Sequence, residues 1–176
     1  MVYMKKKNNI ALMGMAGVGK SYISKKIAEI SNFEHMETDE LIIKQANQEG
    51  KIYLDLSDED FLRIEKNVFM DLANLSEKVI DTGASIIYDQ DVMCKIAELA
   101  HVIYIEDSID VIEDRFIARG PVPLMGIEGK TFKQLFAERQ PLYEKYAQST
   151  VTRNHSRKND AGLVAEKILQ CVRDDE

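Results

Sequence analysis

The chain is poor in the residues and runs that mark disulfide-rich, metal-binding and membrane proteins. It has no tryptophan, three prolines and two cysteines in 176 residues. Cys94 and Cys171 lie far apart in the sequence, which excludes a Cys-x-x-Cys metal or redox motif. No run approaches the roughly 18 apolar residues of a membrane-spanning helix. No apolar run follows the basic stretch 5–7, which argues against a signal peptide. We therefore expect a cytoplasmic protein with reduced thiols and no membrane partner.

Basic residues are also too few for a nucleic-acid surface. The sequence has 23 lysines and arginines against 30 acidic residues, a net charge of −7, and outside 5–7 the basic residues are scattered. Proteins that bind nucleic acids neutralise phosphates with clustered lysine and arginine. The composition therefore predicts no nucleic-acid partner. A length of 176 residues suits one domain with a substantial core, and we expect this domain, 1–176, to be a monomer.

Short apolar runs alternate with amphipathic stretches along the whole chain. The runs predict strands at 10–13, 33–37, 100–106 and 149–153, and a strand running into a glycine turn over 78–88. The stretches predict helices at 20–30, 39–48, 58–75, 89–99, 110–119, 131–148 and 161–172, with Pro141 either kinking or splitting the sixth. This alternation is typical of an α/β fold, with a doubly wound, mostly parallel five-stranded sheet and helices on both faces. Three glycines and two prolines predict a mobile loop over 120–130.

The stretch "ALMGMAGVGKSYI", 11–23, fits the phosphate-binding pattern G-x-x-x-x-G-K-[ST]. Gly14, Gly19, Lys20 and Ser21 occupy its defined positions, with a predicted strand before them and a predicted helix after them. Glycines let backbone N–H groups converge on phosphate oxygens, and the helix N-terminus adds partial positive charge. In such loops the lysine reaches the β- and γ-phosphates and the hydroxyl ligates Mg²⁺. The pattern therefore predicts a nucleoside triphosphate site, whereas a simple glycine-rich turn leaves the Lys-Ser pair unexplained.

Two acids follow the second predicted strand in "HMETDELI", 35–42. Glu37 and Asp39 stand two residues apart at the expected ligand edge of the sheet. Acids beside a phosphate loop serve Mg²⁺ through water or accept a proton from an attacking hydroxyl. The alternative is that Thr38 or Asp39 caps a helix that begins at Glu40. The sequence leaves both readings open.

A third acid, Asp81 in "VIDTG", ends the third predicted strand at the same edge. It is either a group near Mg²⁺ in the second coordination shell or a group that orients Lys20. The residues alone do not choose between these two roles.

Five segments together resemble the shikimate kinases. They are "GMAGVGKS", "ETDELI", "FLRIE", "VIDTGAS" and "ERQPLYEKYA", in this order, and the resemblance covers about residues 8–172. It implies a P-loop kinase that transfers the γ-phosphoryl group of ATP, with Mg²⁺, to a hydroxyl of a carboxylated cyclohexene. It also implies an acceptor-binding segment over about 37–75 and a lid over about 115–130.

The resemblance assigns roles to individual residues. It implies catalytic roles for Lys20 and for Asp39, which orients the acceptor hydroxyl and takes its proton, and a metal site at Ser21 and Glu37. It implies that Asp39, Gly83, Ala84 and Arg139 bind the acceptor, with Arg139 holding its anionic group. The residues implied to bind nucleotide are Gly14, Ala16, Gly17, Val18, Gly19, Lys20, Ser21, Tyr22, Arg115, Arg119 and Arg157. For Arg115 and Arg119, the alternative is ion pairing with Glu113 or Asp114 and their neighbours.

The chain departs from the family pattern mainly on the acceptor side. Leu62 stands where the family has an arginine that grips the acceptor carboxylate, and the neighbouring Arg63 points about 100° away around the helix. Gly83-Ala84-Ser85 replaces three glycines, and Glu65, kept from the family pattern, is expected to support this turn. Val122 replaces a lid arginine, for which Arg119 is close enough to substitute.

These departures leave three functions open. A charge-assisted hydrogen bond to a carboxylate contributes about 1.5–3 kcal/mol, so losing one weakens binding of a shikimate-like acid roughly 10- to 150-fold. Either the shikimate site is built differently, or the acceptor is another metabolite, such as a nucleoside, a nucleotide or a sugar acid. The third reading is an ATP- or ADP-binding regulatory protein without transfer activity. The retained Asp39 and Arg139 favour a kinase.

Overall fold

A computed structural model describes residues 8–120, 124–153 and 160–174 of the chain. Its strands are β1 (Ile10–Met13), β2 (Glu34–Glu37), β3 (Lys78–Asp81), β4 (His101–Glu106) and β5 (Ser149–Thr152). Its helices are α1 (Lys20–Ile30), α2 (Thr38–Gln48), α3 (Asp58–Met70), α4 (Gln90–Leu99), α5 (Ile109–Ala118), α6 (Phe132–Tyr146) and α7 (Asp160–Asp174). Within these ranges no helix is long and apolar enough to cross a membrane.

The five strands form one sheet in the order β2-β3-β1-β4-β5, and all four pairings are parallel. The central strand β1 reads Ile-Ala-Leu-Met and is wholly buried. A strand without a polar face fits a parallel sheet that is covered on both sides. The predicted fold class and strand number are therefore confirmed.

Capping side chains define several helix starts. The Ser57 hydroxyl accepts from the Asp60 N–H at 3.2 Å ahead of α3, and Asp89 accepts from two N–H groups ahead of α4. Thr131 and Gln134 form a reciprocal capping box at the start of α6. That helix continues through Pro141, so of the two alternatives that the sequence left open, splitting at Pro141 is excluded.

Two predicted helix boundaries differ from the structure. The predicted capping role of Thr38 or Asp39 is wrong, because α2 already begins at Thr38, whose hydroxyl donates to the Asp81 carbonyl at 2.9 Å. Helix α3 ends at Met70 rather than at 75. The apolar pattern continues because Leu72 and Leu75 pack against the core from the following loop. Burial therefore mimicked helical periodicity there.

The functional edge is built by the carboxyl ends of three neighbouring strands. In the parallel register, the Cα of Asp81 pairs with Leu12 on one side and with Glu37 on the other. The phosphate-binding loop leaves β1 one residue after Leu12, and α2 leaves β2 directly after Glu37. Ligands of open α/β sheets bind at this edge.

Candidate active site

The loop between β1 and α1 has the backbone that a phosphate-binding loop requires. Gly19 precedes α1 with φ 96°, a left-handed conformation that favours glycine. A Cβ at Gly19 would also stand 2.5 Å from Nη1 of Arg153. At Gly17, where φ is 92°, a Cβ would stand 2.6 Å from the Ile112 carbonyl oxygen. Both positions therefore exclude side chains, and the loop can turn tightly into the N-terminus of α1.

Arg153 braces this loop, and the sequence analysis missed it. Its Nη1 donates to the Val18 carbonyl at 2.6 Å and its Nε donates to Asp160 at 2.7 Å. Its position directly after the edge strand β5 could have indicated this role, but the sequence analysis assigned nucleotide binding to Arg157. Arg157 lies outside the described residues, as does Val122.

Lys20, the lysine of the motif, is buried at the start of α1. Its Nζ donates to the carbonyl oxygens of Gly14 at 2.9 Å and Met15 at 3.5 Å. Burial lowers the pKa of Lys20, and the negative charges of Asp81 and Asp39 oppose that effect. The ammonium is thus held inside the loop, where phosphate oxygens would meet it.

A cavity of about 490 Å³ opens beside the loop. Its phosphate side is lined by Ala16, Lys20 and Ser21, and its acidic edge by Glu37, Asp39 and Asp81. Its far side is lined by Gly83, Ala84, Ser85 and Arg139, and Arg119, Leu124 and Met125 approach from the predicted lid. The structure therefore brings together in one cavity the residues predicted for phosphate, metal, base and acceptor.

Asp39 lies on the first turn of α2 between the phosphate loop and the acceptor side. It is half-buried, and burial raises its pKa, reinforced by Asp81 and Glu37; the charges of Lys20 and Arg119 act the other way. A carboxylate whose pKa lies above its ordinary value accepts a proton more readily than an exposed one.

Asp81 faces Ser21 and Lys20 from the end of β3. The residue is buried, with 6% of its surface exposed. Burial raises the pKa of Asp81, while the Lys20 charge and hydrogen bonding with the Ser21 hydroxyl act to lower it. The sequence left two roles open for Asp81, near Mg²⁺ or orienting Lys20. The structure places Asp81 beside Ser21, as the first role requires, and beside Lys20, as the second requires.

Glu37 makes a different contact. Its carboxylate lies 3.7 Å from Nε2 of His35, and its side chain is 32% exposed. His35 in turn pairs through Nδ1 with the Ser24 hydroxyl at 2.6 Å. Glu37 lines the cavity at its acidic edge, but its carboxylate contacts His35 of the same strand, β2, and not the phosphate loop.

Arg139 is completely buried at the far side of the cavity. Its Nε donates to the Tyr88 hydroxyl at 3.1 Å and its Nη2 donates to the Met125 carbonyl. Its Nη1 is buried and has no hydrogen-bond partner among the described residues. A buried, unpaired guanidinium nitrogen is costly, so this group is suited to receive an anion from the cavity.

Near Leu62, helix α3 carries a buried carboxyl, that of Glu65. Of the α3 residues, Asp58 and Phe61 line the cavity, whereas Leu62 is half-buried and does not. Glu65 is buried and accepts a hydrogen bond from the Ser85 hydroxyl at 3.0 Å. Burial raises the pKa of Glu65 to about 8, so it is largely protonated at neutral pH. The expected support of the glycine turn by Glu65 is thus confirmed, through Ser85.

Arg63, on α3, makes ion pairs and its side chain is 44% exposed. Its Nη2 pairs with Glu49 at 2.5 Å and with Asp60 at 3.3 Å, on the outer side of α3. It therefore does not replace the missing arginine at position 62.

A second cavity of about 500 Å³ adjoins the phosphate loop on its other side. It is lined by Gly17, Gly19, Lys20, Ser21, Tyr22, Arg115, Ala118 and Arg119. Arg115 pairs with Asp107 at 3.1 Å, an acid other than the Glu113 or Asp114 named in the alternative. Arg119 lines both cavities and therefore stands where the nucleotide and acceptor sides meet. Tyr22, on the first turn of α1, is 58% exposed.

The donor set at the phosphate loop fits Mg²⁺. Ser21 offers a hydroxyl, and Asp81 and Glu37, on neighbouring strands, are two candidate carboxylates; oxygen ligands are the kind that Mg²⁺ prefers. Within the described ranges, no group of three or more His, Cys, Asp or Glu side chains is arranged to hold a metal by itself.

Comparisons with known proteins agree with this geometry. The family model for shikimate kinase matches residues 16–173. A shikimate kinase of Francisella philomiragia is 32% identical over 171 residues, covering 92% of this chain and 97% of its own. A shikimate kinase of Xylella fastidiosa is 30% identical over 167 residues, covering 93% and 92%.

Solved structures with a similar fold are also shikimate kinases. A structure of the shikimate kinase from Acinetobacter baumannii in complex with shikimate superposes with a TM-score of 0.78 at 23% identity, covering 96% of this chain and 94% of that one. The match of the family model over residues 16–173, and the curated relatives at about 30% identity over most of the chain, show the family. The chain therefore belongs to the shikimate kinase family of ATP-dependent phosphotransferases.

Proposed function

We propose that this chain transfers the γ-phosphoryl group of ATP to a hydroxyl of shikimate, and that it holds the acceptor's carboxylate with Arg139. The observation that carries the proposal is the buried Nη1 of Arg139, which has no partner among the described residues and belongs to a residue lining the same cavity as Lys20 and Asp39. One cavity thus offers an anion site, a proton acceptor and a phosphate site.

Binding of ATP uses the backbone of the phosphate loop and the buried Lys20. Ser21 and the carboxylates beside it would hold Mg²⁺, which would supply positive charge to offset that of the phosphates. Arg115 and Tyr22 line the outer cavity, which suits the rest of the nucleotide. Arg119 lines both cavities, so its guanidinium is suited to the charge that spreads over the transferred group.

Asp39 takes the acceptor's proton. As the acceptor oxygen bonds to the γ-phosphorus, the bond to the β–γ bridging oxygen breaks, ADP leaves and the hydroxyl proton passes to the Asp39 carboxylate. Asp81 and burial raise the pKa of that carboxylate, which suits it to this step.

Two residues of the predicted lid lie on the acceptor side. Leu124 and Met125 line the cavity, and the Gly126 N–H donates to the Asp58 carboxylate at 2.9 Å. Apolar side chains over the acceptor exclude water, which would otherwise compete for the phosphoryl group.

The acceptor site differs from that of the family in having one arginine for the carboxylate instead of two. Leu62 contributes no charge, and Glu65 stays protonated without an arginine partner. The lost charge-assisted bond corresponds to roughly 10- to 150-fold weaker acceptor binding. We therefore expect a high KM for shikimate together with ordinary binding of ATP.

We further propose that the chain acts as a cytoplasmic monomer. Both cysteines are free, which suits a reducing compartment.

The experiment is a steady-state assay of ADP release with ATP, Mg²⁺ and a panel of acceptors that includes shikimate, sugar acids and nucleosides. The proposal expects ADP release that saturates only with shikimate among these. If ADP release saturated with a sugar acid or a nucleoside and not with shikimate, that compound would be the acceptor and the proposal of shikimate would be wrong. Tight ADP binding with no release above background for every acceptor would contradict transfer altogether.

A further inference from the structure

Three acids stand at the edge of the sheet beside Ser21, and their roles are not equivalent. Glu37, Asp39 and Asp81 all line the inner cavity. The family resemblance assigns the metal to Ser21 and Glu37, and it assigns no role to Asp81. The contacts of these side chains indicate a different arrangement.

Asp81 is held facing the phosphate loop. It ends β3 between β1 and β2, in register with Leu12 just before the loop. The Thr38 hydroxyl donates to its carbonyl oxygen at 2.9 Å, which ties the end of β3 to the start of α2. Its buried carboxylate interacts with the Ser21 hydroxyl and with the charge of Lys20.

Glu37 lacks these contacts. Its carboxylate is directed to His35 at 3.7 Å, and about a third of its side chain, 32%, is exposed. It also precedes α2 without a capping hydrogen bond, so its side chain is not tied to the backbone there. Of the two acids, Asp81 is therefore the one positioned toward the serine that ligates metal in phosphate-binding loops.

We infer that Asp81, rather than Glu37, is the acid that works with Ser21 to hold the Mg²⁺ of the bound nucleotide. A carboxylate at the end of the strand beside the loop strand serves this purpose in P-loop NTPases, directly or through water. Asp81 acts here as a positioning residue for the nucleotide's metal. The inference rests on the proposed nucleotide binding and is independent of the acceptor.

The test compares ADP affinity with and without Mg²⁺ in the native chain and in Asp81→Asn, Glu37→Gln and the control Glu34→Gln. Glu34 is exposed on the same strand as Glu37 and does not line the cavity. Replacing an outer ligand of a metal costs about 10- to 100-fold in metal affinity. Asp81→Asn should therefore remove the Mg²⁺-dependent gain in ADP affinity, while metal-free ADP binding stays equal or strengthens because a negative charge is lost.

Mn²⁺ in place of Mg²⁺ gives a second readout, since its electron paramagnetic resonance signal counts the metal bound in the ADP complex. Asp81→Ser repeats the test with a smaller neutral side chain if the asparagine variant does not fold. Loss of the metal gain in both Asp81 variants, with Glu37→Gln like Glu34→Gln, supports the inference. An equal or larger loss in Glu37→Gln, or no loss in the Asp81 variants, overturns it. ADP binding to the native chain without metal tests the proposed nucleotide site by itself, so a failure of that site can be distinguished from a failure of the inference about Asp81.

Discussion

The Ser85 hydroxyl donates a hydrogen bond of 3.0 Å to the buried carboxyl of Glu65. Directly above this pair, a Cβ at Gly83 would stand 2.7 Å from the same carboxyl oxygen. The floor of the acceptor pocket is therefore packed against Glu65, which has a hydroxyl for its partner where the family pattern would place an arginine one helical turn away, at position 62.

The Glu65 pair predicts an unusual dependence of stability on pH. The pKa of Glu65 is about 8 in the folded chain, above its ordinary value of 4.5. Between these values the folded state keeps a proton that the unfolded state has lost, so the free energy of unfolding falls as pH rises through this window. Glu65→Gln removes this fall and should gain up to roughly 4 kcal/mol relative to the native chain between pH 5 and pH 8.

Urea unfolding at pH 5 and pH 8 measures this effect. Glu59→Gln is the matched control, because Glu59 lies exposed on the first turn of the same helix. Parallel pH dependences for Glu65→Gln and the native chain would show that the carboxyl ionises normally.

Leu62→Arg tests why the acceptor side departs from the family. Leu62 does not line the cavity, but it lies one helical turn from Asp58, which does, and from Glu65, so the longer side chain of an arginine can extend toward the cavity. It would pair with Glu65 and offer a second contact to an acceptor carboxylate. We expect kcat/KM for shikimate to rise about 10- to 150-fold, with KM for ATP unchanged. Met70→Arg, at the exposed end of the same helix, should change neither value; an equal gain in both variants would indicate a general charge effect.

Arg139→Lys keeps the charge but removes the planar fork of donors. Because the unpartnered Nη1 is the proposed contact to the acceptor, KM for shikimate should rise about 10- to 150-fold while ADP affinity stays the same. Arg63→Lys is the control, since Arg63 makes only exposed ion pairs outside the cavity. Steady-state kinetics and ADP titration measure the two effects separately. An unchanged KM for shikimate in a folded Arg139→Lys variant would remove Arg139 from the acceptor site.

Asp39→Asn removes the proposed proton acceptor with little change in shape. Catalysis by a positioned base contributes about 10²- to 10⁴-fold, so kcat should fall by a factor in that range. ADP should bind as tightly as in the native chain, or more tightly, because a negative charge near the phosphates is gone. Glu40→Gln, one residue along α2 and exposed, should retain full turnover. Turnover of Asp39→Asn close to that of Glu40→Gln would exclude Asp39 as the base.

The fold and the phosphate loop could be predicted because their signals are local. A buried strand, a glycine loop and an amphipathic helix lie next to one another over 10–30, and the alternation of such units specifies the sheet. The end of α3 was predicted too late because Leu72 and Leu75 continue the apolar pattern from a loop. Periodicity reports burial, and burial does not require a helix.

The contacts of the site were less accessible to prediction because they join distant parts of the chain. The Ser85–Glu65 bond spans 20 residues, and the Arg153–Val18 bond spans 135. The role proposed for Arg139 came from its motif, whereas its hydrogen bonds to Tyr88 and Met125, its burial and its unpartnered nitrogen depend on parts of the chain that are distant in sequence. Such contacts are set by the topology of the sheet.

Phosphorus nuclear magnetic resonance of the native chain with ATP, Mg²⁺ and shikimate tests the central claim most directly. It distinguishes ADP, inorganic phosphate and a phosphate monoester of shikimate in one spectrum. The proposed phosphotransfer predicts that ADP and the monoester accumulate in equal amounts, and that no monoester forms without shikimate. ADP accompanied by an equal amount of inorganic phosphate, or intact ATP in the presence of shikimate, would contradict it.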